Sequence, residues 1–225
     1  MNNTYVVATV KDWNIKNFHE FTKNAPGKWF LITDKHQLTL EFLRQKNPRY
    51  VFFPHWNWIV PKDILSEFEC VCFHMTDVPY GRGGSPLQNL ITRGHKETKL
   101  TALRMEDTLD TGPVYLKVDV ELSGSAQIIF ERASKHVFDL MAGIIRNQPS
   151  PVKQEGDIVE FQRRKPEQSE INSDMSIEGV YDHIRMLDAV TYPKAFVKIG
   201  GLRIEFENAS LIGDQVVAAV KISKE

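Results

Sequence analysis

The sequence lacks most of the features that would classify it quickly. It holds two cysteines in 225 residues, too few for a disulfide framework. Cys70 and Cys72 lie two apart in an apolar stretch, so in a strand they share one face and read as buried thiols. No C-x-x-C pair, zinc spacing or His/Cys cluster occurs, and no metal is expected. No run of about 18 apolar residues exists, which argues against a membrane-spanning helix and a membrane partner. The stretch from Met1 to Val10 shows no basic segment followed by an apolar core and cleavage site. It does not read as a signal peptide, and the expected compartment is the cytoplasm. An excess of charge is missing too: 28 Lys plus Arg stand against 29 Asp plus Glu, a net charge of −1. Chains that grip a polyanion usually gather Lys and Arg, so this balance recruits no nucleic acid. The G-x-G-x-x-G fingerprint is also absent, so NAD is not expected.

What is present is an ordinary globular composition, 42% apolar and 25% charged, with enough chain for one sizeable domain and an appendage. The first part alternates strand-like and helix-like stretches, which predicts an α/β, Rossmann-like, mainly parallel sheet flanked by helices. Strands are expected at Tyr5–Val10, Trp29–Thr33, Tyr50–Phe53 and Cys70–Phe73, then at Lys99–Met105 and Val114–Val120. Asn14 is placed to cap the first helix, and Ser85–Pro86 to open a later one. Ser125–Arg146 has the strongest helical periodicity, through Ile129, Ala133, Val137, Leu140, Met141 and Ile144. Pro149 and Pro151 then read as a linker. The expected division is a catalytic domain over 1–150 and a small, mostly antiparallel lobe over 151–225. Gly200-Gly201 signals a hairpin in that lobe. Such a hairpin can extend a partner's sheet, which makes a homodimer an expectation.

Ligands of open parallel sheets bind beyond the carboxyl ends of strands, so the loops there carry the functional information. The first, His74 to Pro86, sets a histidine at a strand end, where it can act as acid, base or oxyanion donor. Its glycines permit backbone approach to a ligand, and Arg82 offers a cation. The second, Met105 to Gly112, holds Asp110 two residues before a glycine. Alone, the one is a flexible turn with an incidental histidine and the other a solvated acidic turn.

Together they resemble a known family. His74–Pro86 is similar to the H-x-S-x-L-P-x-x-R-G-x-x-P signature of formyltetrahydrofolate-dependent formyltransferases, and Leu109-Asp110-Thr111-Gly112 to that family's D-x-G motif. The resemblance implies a transferase that moves a formyl group from 10-formyltetrahydrofolate to a primary amine. It implies that His74 donates to the developing oxyanion while Asp110 orients His74 and helps to remove the amine's proton. It also places Trp56, Asn57, Trp58 and Ile59 on one side of the folate slot, and Glu106, Asp107, Thr108 and Asp110 on the other. Arg82, Gly83 and Gly84 are then candidates for contact with the second substrate. One departure matters. The family has asparagine two residues before the histidine, where this chain has Cys72. A thiol is a poor donor, so a backbone N–H or another side chain, with Asn89 and Asn57 as candidates, is the expected replacement. Other readings are a slower enzyme that relies on His74 alone, and an inactive folate- or nucleotide-binding module.

The short trailing lobe resembles that of family members that act on sugar nucleotides. Its acidic residues outnumber its Lys plus Arg, which counts against tRNA. The expected acceptor is therefore a nucleotide-linked 4-amino-4,6-dideoxy sugar, UDP-linked and of the pseudaminic-acid type, in carbohydrate biosynthesis. Methionyl-tRNA or another amine is the alternative.

Overall fold

A computed structural model describes residues 3–224. The described residues divide into two compact units, neither continuous in sequence. This division differs from a single cut at residue 150.

The first unit comprises, among the described residues, 3–82, 99–120 and 131–160. Its strands are β1 (Thr4–Ala8), β2 (Lys28–Ile32), β3 (Tyr50–Phe53), β4 (Cys70–His74), β5 (Tyr80–Gly83), β6 (Glu97–Arg104) and β7 (Val114–Glu121), some of them crossing the division at their ends. Six form one sheet in the order β2-β1-β3-β4-β6-β7. β1 runs parallel to β2 and β3, β3 parallel to β4, and β6 antiparallel to β4. The central strands read as unbroken apolar runs because both faces are covered. Val6, Val7, Val51, Phe52 and Val71 are all fully buried. Helices α1 (Asp12–Thr22), α2 (Leu40–Lys46) and α3 (Lys62–Glu67) make the crossovers. Most of α5 (Ala126–Asn147) also belongs to this unit.

The second unit comprises, among the described residues, 83–98, 121–130 and 161–224. It holds α4 (Pro86–Thr92), α6 (Ile177–Leu187) and an antiparallel sheet of β9 (Ala195–Ile199), β10 (Leu202–Ile212) and β11 (Gln215–Lys224), ordered β11-β10-β9. Ser176 caps α6 by accepting from the Gly179 N–H at 3.1 Å. Gly200 and Gly201 both have positive φ and pair Ile199 with Leu202 across a two-residue turn. No helix among the described residues is long and apolar enough to cross a membrane.

Three local expectations are corrected. Asn14 lies inside α1 rather than at its cap. Its amide donates instead to Thr9 Oγ1 at 3.1 Å and Pro54 O at 3.2 Å, tertiary partners that win over the local one. Ser85 and Pro86 do open α4, but Ser85, at φ 51°, makes no side-chain cap bond to it; its hydroxyl accepts from the Arg164 N–H at 3.0 Å. The polar stretch after His74 contains a strand, β5, which pairs with β8 (Val159–Phe161). Glycine conceals it: a Cβ on Gly83 would stand 2.5 Å from the Phe161 carbonyl oxygen.

Candidate active site

β4 delivers His74 at its carboxyl end, where the residue is only 8% exposed. Its Nε2 lies 2.8 Å from the Gly81 carbonyl oxygen. A carbonyl only accepts, so Nε2 carries the proton and donates it there. Thr76 Oγ1 donates to the same oxygen at 3.2 Å, and Thr101 Oγ1, on β6, donates to Thr76 O at 2.7 Å. The loop is thereby folded back against the strand that launches it, and the imidazole plane is held.

The other ring nitrogen, Nδ1, faces Asp110 Oδ1 at 3.5 Å, with side chains 9% and 14% exposed. Asp110 adopts φ 55°, a left-handed conformation that aspartate tolerates better than most residues. A strap from residue 154 holds it. Gln154 Nε2 donates to the carbonyls of Asp110 and Gly112, each at 2.8 Å. Its Oε1 accepts from Arg82 Nε at 3.0 Å and Nη2 at 2.8 Å. Gly112 is required by close approach, since a Cβ there would fall 1.8 Å from the Arg104 carbonyl oxygen.

Cys72 sits half-buried in β4, beside Phe53 of β3. Burial first, and the Asp110 charge second, push its thiol far above the ordinary range. It therefore stays protonated, as a weak donor rather than a nucleophile. Cys70 is likewise pushed up to about 12 by burial and then by Glu69. Of the two asparagines suggested as a replacement donor, Asn89 is already engaged. The Asn89 amide donates to the carbonyls of Gly84, Ser85 and Gln162 at 3.0–3.1 Å. Asn57 is exposed in the loop after β3.

Trp56 packs on Phe53, with ring centroids 6.1 Å apart, and on Trp58 at 4.9 Å. Its indole N–H is buried and has no hydrogen-bond partner among the described residues. A buried donor without an acceptor is costly and marks a place where a ligand acceptor fits. Met105 packs against the same apolar cluster. Trp58 and Ile59 lie further out, 40% and 75% exposed. Lys62 pairs with Asp107 at 2.8 Å, tying the start of α3 to the acidic loop, while Glu106 meets Arg104 at 3.5 Å. Thr108 is exposed and offers its carbonyl to the Thr111 hydroxyl. Arg82 is engaged by Gln154, and Gly83 and Gly84 are called for by close approach of residues 161–163.

Sequence reasoning passed over Gln154, Lys11, Asn14 and His55. Lys11 and Asn14 follow the carboxyl end of β1 and His55 that of β3, so the strand-end rule applied to every strand would have reached these three. His55 is pushed down to about 3 by burial, helped by the Lys11 charge. Gln154 gave no signal, because its partners lie more than 40 residues away. Among the described residues no group of three His, Cys, Asp or Glu is arranged to hold a metal.

Comparison with known proteins gives the site a context. Residues 166–223 match the family model "Methionyl-tRNA formyltransferase, C-terminal domain". A solved methionyl-tRNA formyltransferase from Clostridium thermocellum superposes with a TM-score of 0.96 at 49% identity, over 99% of each chain. A curated methionyl-tRNA formyltransferase from Bacillus cytotoxicus is 31% identical over 152 residues, 64% of this chain and 48% of its own length. The chain thus spans about half the length of that curated relative. A 4-N formyltransferase from Francisella tularensis has a TM-score of 0.69 at 14% identity, over 96% of each chain, which shows the fold alone.

These findings overturn the amino-sugar expectation and, with it, the argument against tRNA. The 49% identical relative has the same length, so a short trailing lobe does not discriminate between acceptors. An even overall charge is no better guide, because it averages over local clusters. Arg163-Arg164-Lys165 is one such cluster.

Proposed function

Since the chain belongs to the formyltransferase family that includes methionyl-tRNA formyltransferase, we propose that it transfers a formyl group from 10-formyltetrahydrofolate to the amino group of methionyl-tRNA. The observation that carries this reading is the convergence of His74 and Asp110, 3.5 Å apart at the carboxyl end of the parallel strands. Such a transfer acts on a tRNA of the translation apparatus, which implies a cytoplasmic protein.

10-Formyltetrahydrofolate supplies the formyl carbon when bound. The buried, partnerless indole N–H of Trp56, with Phe53 and Met105 nearby, supports a slot for its flat heterocycle. His74 Nδ1, which faces the Asp110 carboxylate, is placed to take the proton of an attacking amine. Asp110 then stabilises the imidazolium that forms. This role differs from oxyanion donation, because Nε2–H is already given to Gly81. Because the protonated thiol of Cys72 is a weak donor, this reading leaves the oxyanion to a backbone N–H. The exposed Arg163 and Lys165 support contact with a polyanion despite the even overall charge.

The test is to supply 10-formyltetrahydrofolate with charged initiator tRNA and to follow tetrahydrofolate release and formyl-methionine together. His74→Ala and Asp110→Asn should each lower turnover by about 10²-fold or more, the range of a positioned proton-transfer group, while the protein stays folded. Full activity in Asp110→Asn would remove the carboxylate from the mechanism. Release of tetrahydrofolate without formylated tRNA would reject the acceptor.

A further inference from the structure

We propose that the opposite, amino-terminal end of the sheet carries a second ligand site, which binds a nucleoside monophosphate. A cavity of about 680 Å³ opens there, within the size of small-molecule sites. It does not depend on formyl transfer, because substrates of open parallel sheets sit at the other, carboxyl end.

Strand register builds its wall. Tyr5 of β1 pairs with Trp29 of β2 on one side and Tyr50 of β3 on the other, so three aromatic side chains line up across neighbouring strands. Tyr5 and Trp29 have ring centroids 4.6 Å apart. Phe21, from α1, meets Trp29 edge-on at 5.2 Å. Tyr5 and Tyr50 are buried behind this wall, and the half-buried Trp29 and Phe21 present the aromatic surface that a planar base can meet.

Two guanidinium groups complete the lining. Arg49 lies 4.4 Å from the centre of the Tyr50 ring, and Arg146 comes from the last turn of α5. Among the described residues neither forms an ion pair with a carboxylate, and no Asp or Glu lines the cavity. The Arg49 charge reaches inward. Burial raises the hydroxyls of Tyr5 and Tyr50, and Arg49 opposes that shift at both. Two arginines outweigh the partial negative charge at the end of α5, and a guanidinium group matches phosphate in geometry as well as charge. Aromatic surface and arginines lining one cavity fit a base joined to a phosphate. Inorganic phosphate would leave the aromatic surface unused, and a nucleoside would leave the cations unused.

The experiment titrates the full-length protein with AMP, following tryptophan fluorescence and heat. Adenosine, inorganic phosphate and a short oligoribonucleotide serve as separate arms. AMP should bind, and Arg49→Ala/Arg146→Ala should weaken it by about tenfold or more, the loss of charge-assisted hydrogen bonds. Adenosine and phosphate should each bind more weakly than AMP. Both arginines are exposed, so the double variant should keep its melting temperature and its formyl transfer. No heat or fluorescence change up to millimolar AMP overturns the proposal. So does binding that the double variant leaves intact, and so does an oligoribonucleotide that binds where AMP does not.

Discussion

Removing the side chain of Gln154 should disable the site without touching either residue of the His74–Asp110 pair. Gln154→Ala deletes two hydrogen bonds to the carbonyls of Asp110 and Gly112 and two from the Arg82 guanidinium. Net values are about 1 kcal/mol for a neutral hydrogen bond and about 1.5–3 kcal/mol for one to a charged group. Gln154 and Arg82 are half-buried, so water recovers part of this. A loss of about 2–3 kcal/mol remains, which for a chain of this size lowers the melting temperature by about 5–10 °C. The functional cost should be larger in proportion. Asp110 sits at φ 55° and relies on the strap to stay there, and a displacement of about 1 Å in a reacting group costs roughly 10²-fold in rate. Gln154→Glu separates the two halves of the strap, since a carboxylate still accepts from Arg82 but cannot donate to Asp110 O. It should therefore recover stability but not turnover. The assays are thermal unfolding by circular dichroism and single-turnover formylation. A Gln154→Ala protein with unchanged melting temperature and turnover within about twofold of the parent would refute the claim that this strap positions the carboxylate.

Three further outcomes follow from the same geometry. His55 is held neutral, with its folded value near 3 against an ordinary 6.5. Below pH 6.5 the unfolded chain takes up a proton that the folded chain refuses, so stability falls as pH drops from 6.5 toward 3, by at most about 1.4 kcal/mol per pH unit. Denaturant melts across that window should show the slope, and His55→Gln should flatten it. Cys72→Asn, which restores the family's usual residue, should leave turnover similar or raised, and a collapse in a folded variant would give the thiol a role of its own. Gly112→Ala should cost about 3 kcal/mol or more, because its Cβ meets the Arg104 carbonyl at 1.8 Å; a near-parental melting temperature would mean that the loop relaxes freely.

Periodicity made much of the architecture legible. The apolar runs at β1, β3 and β4 betray a sheet covered on both faces, and Ile129 to Ile144 betray the face of α5, because burial imposes its period directly on the chain. Strand-end placement likewise drew attention to His74 and Asp110, whose side chains the fold sets 3.5 Å apart. The acceptor was not legible. Length and net charge are averages over the whole chain, whereas a polyanion is gripped by local clusters such as Arg163-Arg164-Lys165.

The sequence by itself determined most of the strands and helices and pointed to the loops after β4 and β6, since those follow from side-chain period and turn residues among near neighbours. Only the tertiary structure decided how the machinery is held. It brought Gln154 to the backbone of Asp110, drew Asn14 away from a cap to join the ends of β1 and β3, and lined up Tyr5, Trp29 and Tyr50 at the sheet's far end. These contacts join residues that are distant along the chain, and hydrogen bonds at such separations leave no periodic trace in the sequence.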